Sequence, residues 1–224
     1  MKKFLALTLV LILALSMLAS CGLGEKLVNN VINGGDDDGD DTPFPYGNGN
    51  DFIKENLKGD YSITYEYSYG DEETLTVKTA RTSEGYYFSY YGIESLYIKD
   101  GDKYVAYQGS AEEGFTKIDF LEPMELEEVE SYTAFGTGFM SQYSSDISGM
   151  KRDGSETVAG RDCDKYTYSI GAFGVGLKYS YSIDKATGVC LKWAYDLAAG
   201  GNSGSLSFTC TEFKTSGVTL PSYS

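Results

Sequence analysis

A run of alternating tyrosines is the feature that most restricts the fold of this chain. Tyr61, Ile63, Tyr65, Tyr67 and Tyr69 alternate with small or charged residues, and this period of two is typical of a strand with one buried and one wet face. Further segments of this kind are 75–79, 86–91, 95–99, 103–107, 164–170, 177–183, 189–195 and 206–213. Regularly spaced strands joined by turns predict one antiparallel sheet, curved into an open half-barrel.

Two helices are predicted beside the sheet. Pro123 suits a first helical turn, and apolar residues recur at helical spacing from there to Tyr143. This longer helix is expected to cover the apolar sheet face, although two glycines weaken its second half by about 1 kcal/mol each relative to alanine. A short helix is expected over 52–57, with Asp51 as its N-cap. The predicted fold class is mainly β with minor α.

The amino-terminal segment has the pattern of an export signal. Two lysines precede an apolar run from Phe4 to Leu15, which is shorter than the roughly 18 to 20 residues of a membrane span. Leu18-Ala19-Ser20 then leads into Cys21, an arrangement that closely resembles the bacterial lipobox. We expect residues 1–20 to be removed as a lipoprotein signal peptide and Cys21 to carry lipid, including an acyl chain such as palmitate. A retained transmembrane helix and a non-lipidated secretory signal are the alternatives.

The segment after the anchor is predicted to be a disordered tether. Residues 21–50 are rich in Gly, Asp and Asn and have too little apolar surface to offset the entropy lost on ordering. The aspartate run at 36–41 lacks the alternating ligands and closing glutamate of a calcium loop. The predicted globular domain is therefore 51–224, held off the bilayer by a linker of roughly 30 Å reach.

The net charge limits the partners of this domain. The chain has 18 basic and 33 acidic residues, a net charge of −15. Nucleic acid is not expected as a partner, because phosphate binding needs a basic face, and adsorption to anionic lipid headgroups is disfavoured for the same reason. With lipid on Cys21, the expected location is the cell membrane or outer membrane, with the domain in the cell envelope outside the cytoplasm.

The sequence contains no evident set of catalytic residues. The chain contains no histidine, and this removes the commonest general base, the Ser-His and Cys-His nucleophile pairs and most zinc sites. Glu127, Glu128 and Glu130 are close in sequence, but a charge run at a helix start is usually a solvated face. We expect no enzyme activity, no cofactor and no metal site.

The domain contains three cysteines, an odd number for a secreted protein. The expected hairpin registers place Cys163 and Cys190 both opposite Ser182, so they lie two strands and roughly 10 Å apart, beyond the limit of about 7 Å for a disulfide. Matching the apolar residues of the last two strands sends Cys190 and Cys210 to opposite faces. The three thiols are therefore expected to be unbonded, unless a bulge at Cys190 changes the register.

Three segments near the carboxyl end share turn and strand chemistry with a known family. They are Val158 to Tyr166 (VAGRDCDKY), Ile183 to Lys192 (IDKATGVCLK) and Phe208 to Phe213 (FTCTEF). These segments resemble the closing strands of the outer-membrane lipoprotein carrier-like superfamily. The resemblance implies an antiparallel half-barrel wrapped around helices and, as in several members, a lipid or acyl chain in the concave face.

These patterns favour binding over catalysis. One hypothesis is that the domain binds an apolar ligand, a lipid or acyl chain, between sheet and helix; its rival is a surface interaction module for protein or glycan. One helix covers about 10 Å, whereas eight or more strands spaced by about 4.8 Å make a wider sheet, so curvature or a ligand must cover the rest. The residues predicted to line the ligand site are Tyr65, Tyr67, Phe88, Tyr132, Phe135, Phe139 and Trp193.

Overall fold

In this computed structural model the chain divides into two units, Met1–Asp40 and Asp41–Ser224. The described residues all belong to the second unit, and they are 45–46, 49–69, 74–90, 92–132, 151–172, 175–199 and 202–224. The predicted signal peptide and Cys21 lie outside these ranges, so cleavage and lipidation stay predictions. None of the helices within the described ranges is long and apolar enough to cross a membrane.

Eleven strands and two helices make up the described part of the chain. The strands are β1 (Tyr61–Tyr69), β2 (Leu75–Thr82), β3 (Gly85–Tyr90), β4 (Ile93–Asp100), β5 (Lys103–Ser110), β6 (Gly114–Lys117), β7 (Lys151–Val158), β8 (Arg161–Ala172), β9 (Val175–Asp184), β10 (Cys190–Ala199) and β11 (Asn202–Lys214). The helices are α1 (Gly49–Asn56) and α2 (Leu126–Tyr132).

All eleven strands belong to one curved, open antiparallel sheet. Its order is β6-β5-β4-β3-β2-β1-β11-β10-β9-β8-β7. Strands β1 to β6 therefore form one meander from the middle of the sheet to one edge. Strands β7 to β11 form a second meander from the other edge back to the middle, where β11 pairs with β1. Among the described strands, the ladder that joins the two halves of the sheet, β1–β6 and β7–β11, is that central pair.

The predicted mainly-β fold is confirmed, and β1 has the predicted bounds. The sequence did not predict the two edge strands, β6 and β7. Strand β6 has only four residues, and the first five residues of β7 are all exposed. A strand with neither face buried carries no apolar alternation, and so the period that identified the central strands is absent there.

The prediction of a longer covering helix is not supported. Helix α2 starts at Leu126 rather than near Pro123, because the backbone of Met124 pairs with Tyr104 of β5 through N–H···O bonds of 2.8 and 2.9 Å. The Glu128 carboxylate accepts a hydrogen bond from the Glu125 N–H at 2.9 Å, which satisfies one of the unpaired N–H groups at the helix start. The remainder of the predicted helix, from residue 133 onward, lies outside the described residues.

The amino-terminal helix is also placed differently from the prediction. Helix α1 begins at Gly49, so Asp51 lies in its first turn rather than at its cap. Tyr46 precedes the helix and is only 3% exposed, because its ring packs edge-on against Phe52 at 5.1 Å. Its hydroxyl donates to the Asp164 carboxylate at 3.0 Å. The folded domain therefore includes a residue on the amino-terminal side of position 51, where the linker was expected.

Both helices pack on one face of the sheet, which we call the inner face. Ile53 of α1 shares a core cluster with Tyr61 and Tyr65 of β1. Val129 of α2 is fully buried in a cluster with Tyr86 and other residues of β3–β5. Tyr61 lies opposite Arg81 of β2, and Arg81 lies opposite Tyr86 of β3. Tyr61 and Tyr86 therefore point to the same side of the sheet, and both clusters lie on that face.

The opposite, outer face of the first half is covered by the carboxyl-terminal segment. Val218 and Leu220 pack against a cluster that includes Phe115 of β6. The Phe115 N–H donates to the Ser222 carbonyl at 3.1 Å, and the Ser224 N–H donates to the Phe115 carbonyl at 2.9 Å. These bonds form a parallel bridge along β6, and so they satisfy backbone groups at one edge of the sheet.

Candidate ligand-binding face

Strand pairing places aromatic side chains in two adjacent rows on the inner face of the second half. Residues directly opposite each other on neighbouring strands point to the same side, so each row can be followed from β8 towards β1. The first row is Tyr166, Tyr181, Trp193, Phe208 and Tyr67, and the second, from β8 to β11, is Tyr168, Tyr179, Tyr195 and Leu206. We call these two rows the aromatic face.

A continuous series of ring contacts crosses the aromatic face. Its six rings, in order from β1 to β8, are Tyr67, Phe208, Trp193, Tyr195, Tyr179 and Tyr168. Successive ring centroids are 4.6, 5.8, 6.2, 5.6 and 6.4 Å apart, and aromatic pairs at such distances attract each other by roughly 0.5–1.5 kcal/mol. We call this series the aromatic path; it forms one ordered apolar surface across five strands.

The rings of the path are only partly withdrawn from water. Phe208 is 7% exposed, whereas the other five rings are half-buried. Burial raises the pKa of Tyr179, and the neighbouring Tyr195 and Tyr168 raise it further. The hydroxyls of these three tyrosines are therefore close enough to interact. Within the described ranges, none of the three hydroxyls has a hydrogen-bond partner.

Trp193 lies at the centre of the first row and is the only tryptophan of the chain. Its ring is nearly parallel to that of Tyr195, with an interplanar angle of 11°. The indole N–H is buried and makes no hydrogen bond to any described residue. Trp193 lies directly opposite Tyr181 on β9. Burial raises the pKa of Tyr181, and the nearby indole N–H partly offsets that rise.

The structure brings together only part of the predicted ligand site. Tyr67 and Trp193 lie on the aromatic path. Tyr65 is 1% exposed, and its hydroxyl donates to the Cys190 carbonyl at 2.9 Å, so it ties β1 to the start of β10. Phe88 is half-buried on the inner face of β3, beside the core cluster around β1.

The helical part of the predicted site lies largely outside the described residues. Tyr132 is the last residue of α2, and Phe135 and Phe139 lie in the undescribed range that follows. The path instead includes Tyr168, Tyr179, Tyr195 and Phe208, which were not among the residues predicted to line the ligand site. Period-two alternation around Tyr166, Tyr181 and Trp193 was the available signal, but only the strand register shows that these residues share a row.

The other end of β8–β10 is built around a buried carboxylate. Asp184 is 2% exposed and accepts hydrogen bonds from Arg161 Nε at 3.0 Å and Nη2 at 2.8 Å. The backbone N–H and the hydroxyl of Thr187 also donate to Asp184. The Arg161 guanidinium lies 4.7 Å from the centroid of the Phe213 ring. Segments quoted for the family resemblance thus form a structural clamp that fixes the β9–β10 hairpin to β8 and β11.

The three cysteines of the domain are buried free thiols. Burial raises the pKa of Cys163 and of Cys210 to about 12, and it raises the pKa of Cys190 as well. The predicted registers were wrong: Cys163 lies opposite Asp184, and a register shift follows Cys190 on β10. No group of three or more Cys, Asp or Glu side chains in the described part of the chain is placed to hold a metal ion.

An open groove of about 770 Å³ lies at the far end of β8–β11. Its lining includes a register row of small residues, namely Gly171, Gly176, Ala198 and Ser203. Along β9 and β10, Gly176 and Ala198 are next to Leu177 and Leu197, whose side chains are on the inner face. The row of small residues therefore lies on the outer face. No ring of the aromatic path lines the groove, so the groove and the aromatic face are separate surfaces.

No family model and no curated protein matches this sequence. Among solved structures, LprF from Mycobacterium bovis matches with 8% identity and a TM-score of 0.38, over 77% of this chain and 95% of that one. The MucA/MucB complex of Pseudomonas aeruginosa matches with 12% identity and a TM-score of 0.37, over 77% of this chain but only 58% of that one. The LolA superfamily protein NE2245 from Nitrosomonas europaea matches with 8% identity and a TM-score of 0.24, over 77% and 95%.

One of these proteins belongs to the LolA superfamily, the group that the closing strands of this chain resemble in sequence. At TM-scores below 0.5, these similarities carry nothing about ligand, partner or site residues.

Proposed function

We propose that this protein is a lipid-anchored lipoprotein of the bacterial cell envelope whose domain binds a lipid or acyl chain on the aromatic face. The aromatic path is the observation that carries this proposal. Six contacting rings form an ordered apolar surface on the inner face, and five of them are half-buried. Contiguous apolar surface of this kind is commonly a ligand or partner site.

The energetics favour an apolar occupant of the path. Each CH₂ group withdrawn from water contributes about 0.8 kcal/mol, so a long acyl chain can offset the cost of association, estimated at 4–15 kcal/mol. The rings are held by their neighbours through strand pairing and mutual contacts, so little ordering is required of the protein. A rigid apolar surface therefore suits a flexible chain-like ligand.

The predicted anchor agrees with a ligand drawn from the membrane. Lipid on Cys21 would hold the domain within the roughly 30 Å reach of its linker. A bilayer at that distance is the nearest source of acyl chains. Binding rather than catalysis is the activity that this arrangement would support, with the membrane as the site of attachment and the lipid as the ligand.

Trp193 allows a direct test, since it is the only tryptophan and lies on the path. The chain without residues 1–20, carrying Cys21→Ser, would be titrated with 9,10-dibromostearate. The bromine atoms of this ligand quench indole fluorescence on contact. We expect saturable quenching at micromolar concentration that unlabelled stearate reverses. Dibromopropionate, which lacks the chain, is the matched control and should not quench at that concentration.

The proposal also predicts that the purified protein retains apolar material. Native mass spectrometry and organic extraction of the same chain should release a lipid or acyl species. Absence of any extracted species, together with absence of saturable quenching, would remove the ligand-binding proposal.

One surface feature favours a second candidate function, docking to a protein. Phe120, Leu121 and Leu126 are 83, 45 and 37% exposed, and clustered exposed apolar side chains commonly mark interaction sites. Backbone hydrogen bonds of Ile118 and Met124 to β5 hold this loop in place. The double variant Phe120→Ser, Leu121→Ser should abolish association with a protein partner in envelope extracts and leave stearate binding intact; unchanged association would exclude this loop.

A further inference from the structure

We propose that the aromatic face selects a single-chain, uncharged amphiphile, whose acyl chain lies along the aromatic path and whose neutral oxygen-bearing head contacts the hydroxyls of Tyr168, Tyr179 and Tyr195. This inference rests on the proposed function and extends it by naming the class of ligand. Three observations carry it: the length of the path, the absence of charge along it, and the position of the three tyrosine hydroxyls.

The path sets the length of the chain. It crosses five neighbouring strands, and four spacings of about 4.8 Å give a width of about 19 Å. The path moves from the first row to the second between Trp193 and Tyr195, which adds about one two-residue step along the strands and gives a straight end-to-end span of about 20 Å. An extended hydrocarbon chain advances about 1.25 Å per carbon, so the path matches roughly 16 carbons. Beside the path on β8 and β9, Tyr166 and Tyr181 of the first row are at most 9% exposed, so the accessible rings there form a single file, which takes one chain.

The surroundings of the path disfavour a charged head. None of its six side chains is charged. Arg152 continues the first row on β7 beside Tyr166, and its guanidinium is paired with the Asp164 carboxylate at 2.7 Å. The chain as a whole carries a net charge of −15, which repels an anionic head. A carboxylate placed on the path would therefore lose hydration without gaining a cation.

The tyrosine hydroxyls at the β8 end of the path suit a neutral oxygen. Tyr168, Tyr179 and Tyr195 lie in one register row, with consecutive residues directly opposite each other. In the described part of the chain their hydroxyls have no hydrogen-bond partner, and each can both donate and accept. A hydroxyl or ester head can exchange hydrogen bonds with them at no electrostatic cost. The head is then fixed at β8–β10, and the chain extends towards Tyr67 on β1.

Head selection is tested by comparing two ligands with the same chain. 1-Monopalmitoylglycerol and palmitate would be titrated separately into the anchor-free chain below their critical micelle concentrations, with Trp193 fluorescence as the readout. We expect monopalmitoylglycerol to bind at least about tenfold more tightly at pH 8, because the palmitate carboxylate must be desolvated without a cation. Equal affinities, or tighter binding of palmitate, would overturn the head assignment.

Hydroxyl deletion gives an independent readout. The triple variant Tyr168→Phe, Tyr179→Phe, Tyr195→Phe keeps all rings and removes the three hydroxyls. We expect it to lose the preference for monopalmitoylglycerol while its affinity for palmitate changes less than about threefold. Tyr223→Phe, which removes an exposed hydroxyl of the carboxyl-terminal segment, is the matched control and should keep the preference. A triple variant that keeps the preference would exclude the three hydroxyls.

A length series tests the path itself. Monoacylglycerols of 10 to 18 carbons should bind roughly threefold to fourfold more tightly per added carbon up to about 16 carbons and then level off. An affinity that keeps rising to 18 carbons, or that levels off at 12, would contradict a chain laid along the whole path. If neither palmitate nor any monoacylglycerol binds, the proposed function itself fails; if both heads bind alike, only the ligand class fails.

Discussion

The two halves of the sheet use tyrosine in different ways. In β1–β6, Tyr86, Tyr97 and Tyr104 are at most 9% exposed under α2. In β7–β11, Tyr168 and Tyr195 stay half-buried in a row of similar rings. The residue type and strand geometry are alike, so the difference comes from what covers each half. Tyrosine content alone therefore does not identify a ligand site.

Buried charge separates the halves as well. Among the described residues, the two buried carboxylates, Asp164 and Asp184, both belong to β7–β11. In the first half, the carboxylate of Glu94 is partly buried, and it accepts hydrogen bonds from the Tyr87 hydroxyl at 2.7 Å and the Ala111 N–H at 2.9 Å. In the described part of the chain, the first half is stabilised chiefly by apolar covers on both faces, whereas the second combines a half-buried row of tyrosines with an ionic clamp.

The largest expected effect comes from truncating one tyrosine in each half. Tyr97→Ala should lower the free energy of unfolding by about 4 kcal/mol, because it leaves a cavity under α2. Tyr195→Ala should lower it by only about 1 kcal/mol but weaken acyl-chain binding by more than tenfold. Urea unfolding and Trp193 fluorescence titration measure the two effects. Equal stability losses would show that the two halves are packed alike.

The ionic clamp gives the next largest effect. Asp184→Ala should lower the free energy of unfolding by about 3 kcal/mol, because it leaves the Arg161 guanidinium partly buried without its partner. Glu125→Gln breaks an ion pair whose two side chains are more than half exposed, Lys103–Glu125, and should cause no measurable loss. The comparison is made by urea unfolding at pH 7. A small effect of Asp184→Ala would mean that the clamp is dispensable.

Acid should weaken the second half through Asp164. Burial alone would raise the pKa of this carboxyl, but hydrogen bonds from Arg152 and Tyr46 hold it below its ordinary value. A depressed folded pKa gives stability that is present above the unfolded pKa of about 3.9 and is lost as pH falls through the folded value.

Asp164→Asn should therefore lower the free energy of unfolding by about 1.5 kcal/mol at pH 6. The difference in this free energy between the variant and the parent chain should shrink as pH falls below 4. Urea unfolding from pH 6 to pH 3 measures this difference. A difference that stays constant over the range would show that the Asp164 charge contributes nothing to stability.

The smallest expected effect concerns a turn. The β3–β4 and β4–β5 hairpins place glycine at positive φ, with Gly92 at 76° and Gly101 at 64°, whereas the β7–β8 hairpin places Ala159 at 49°. Ala159→Asn should raise the free energy of unfolding by about 0.5 kcal/mol, because asparagine tolerates the left-handed region better. Gly160→Ala, at φ 75° and with no atom near the added Cβ, should lower it by about 1 kcal/mol. Thermal unfolding that moves both variants in the same direction would contradict this account.

The sequence by itself determined the class of fold and the central strands. Alternation over Tyr61 to Tyr69 predicted β1 with its observed bounds, because one buried face forces apolar residues to every second position. The period of two did not identify β7, because its first five residues are exposed. Helical spacing predicted α2 to begin near Pro123, but the helix begins at Leu126 because Met124 pairs with β5. Of the predicted ligand residues, Tyr67 and Trp193 lie on the aromatic path.

Only the tertiary structure decided which aromatic residues meet. A period of two tells which residues share a face of one strand, but it does not fix the offset between strands. That offset depends on bulges such as those beside Cys190 and Tyr65, and on contacts between residues far apart in sequence. Tyr168, Tyr179 and Tyr195 form one row, and Cys163 lies opposite Asp184, because a shift of two residues between strands leaves the alternation of each strand unchanged while it changes every partner.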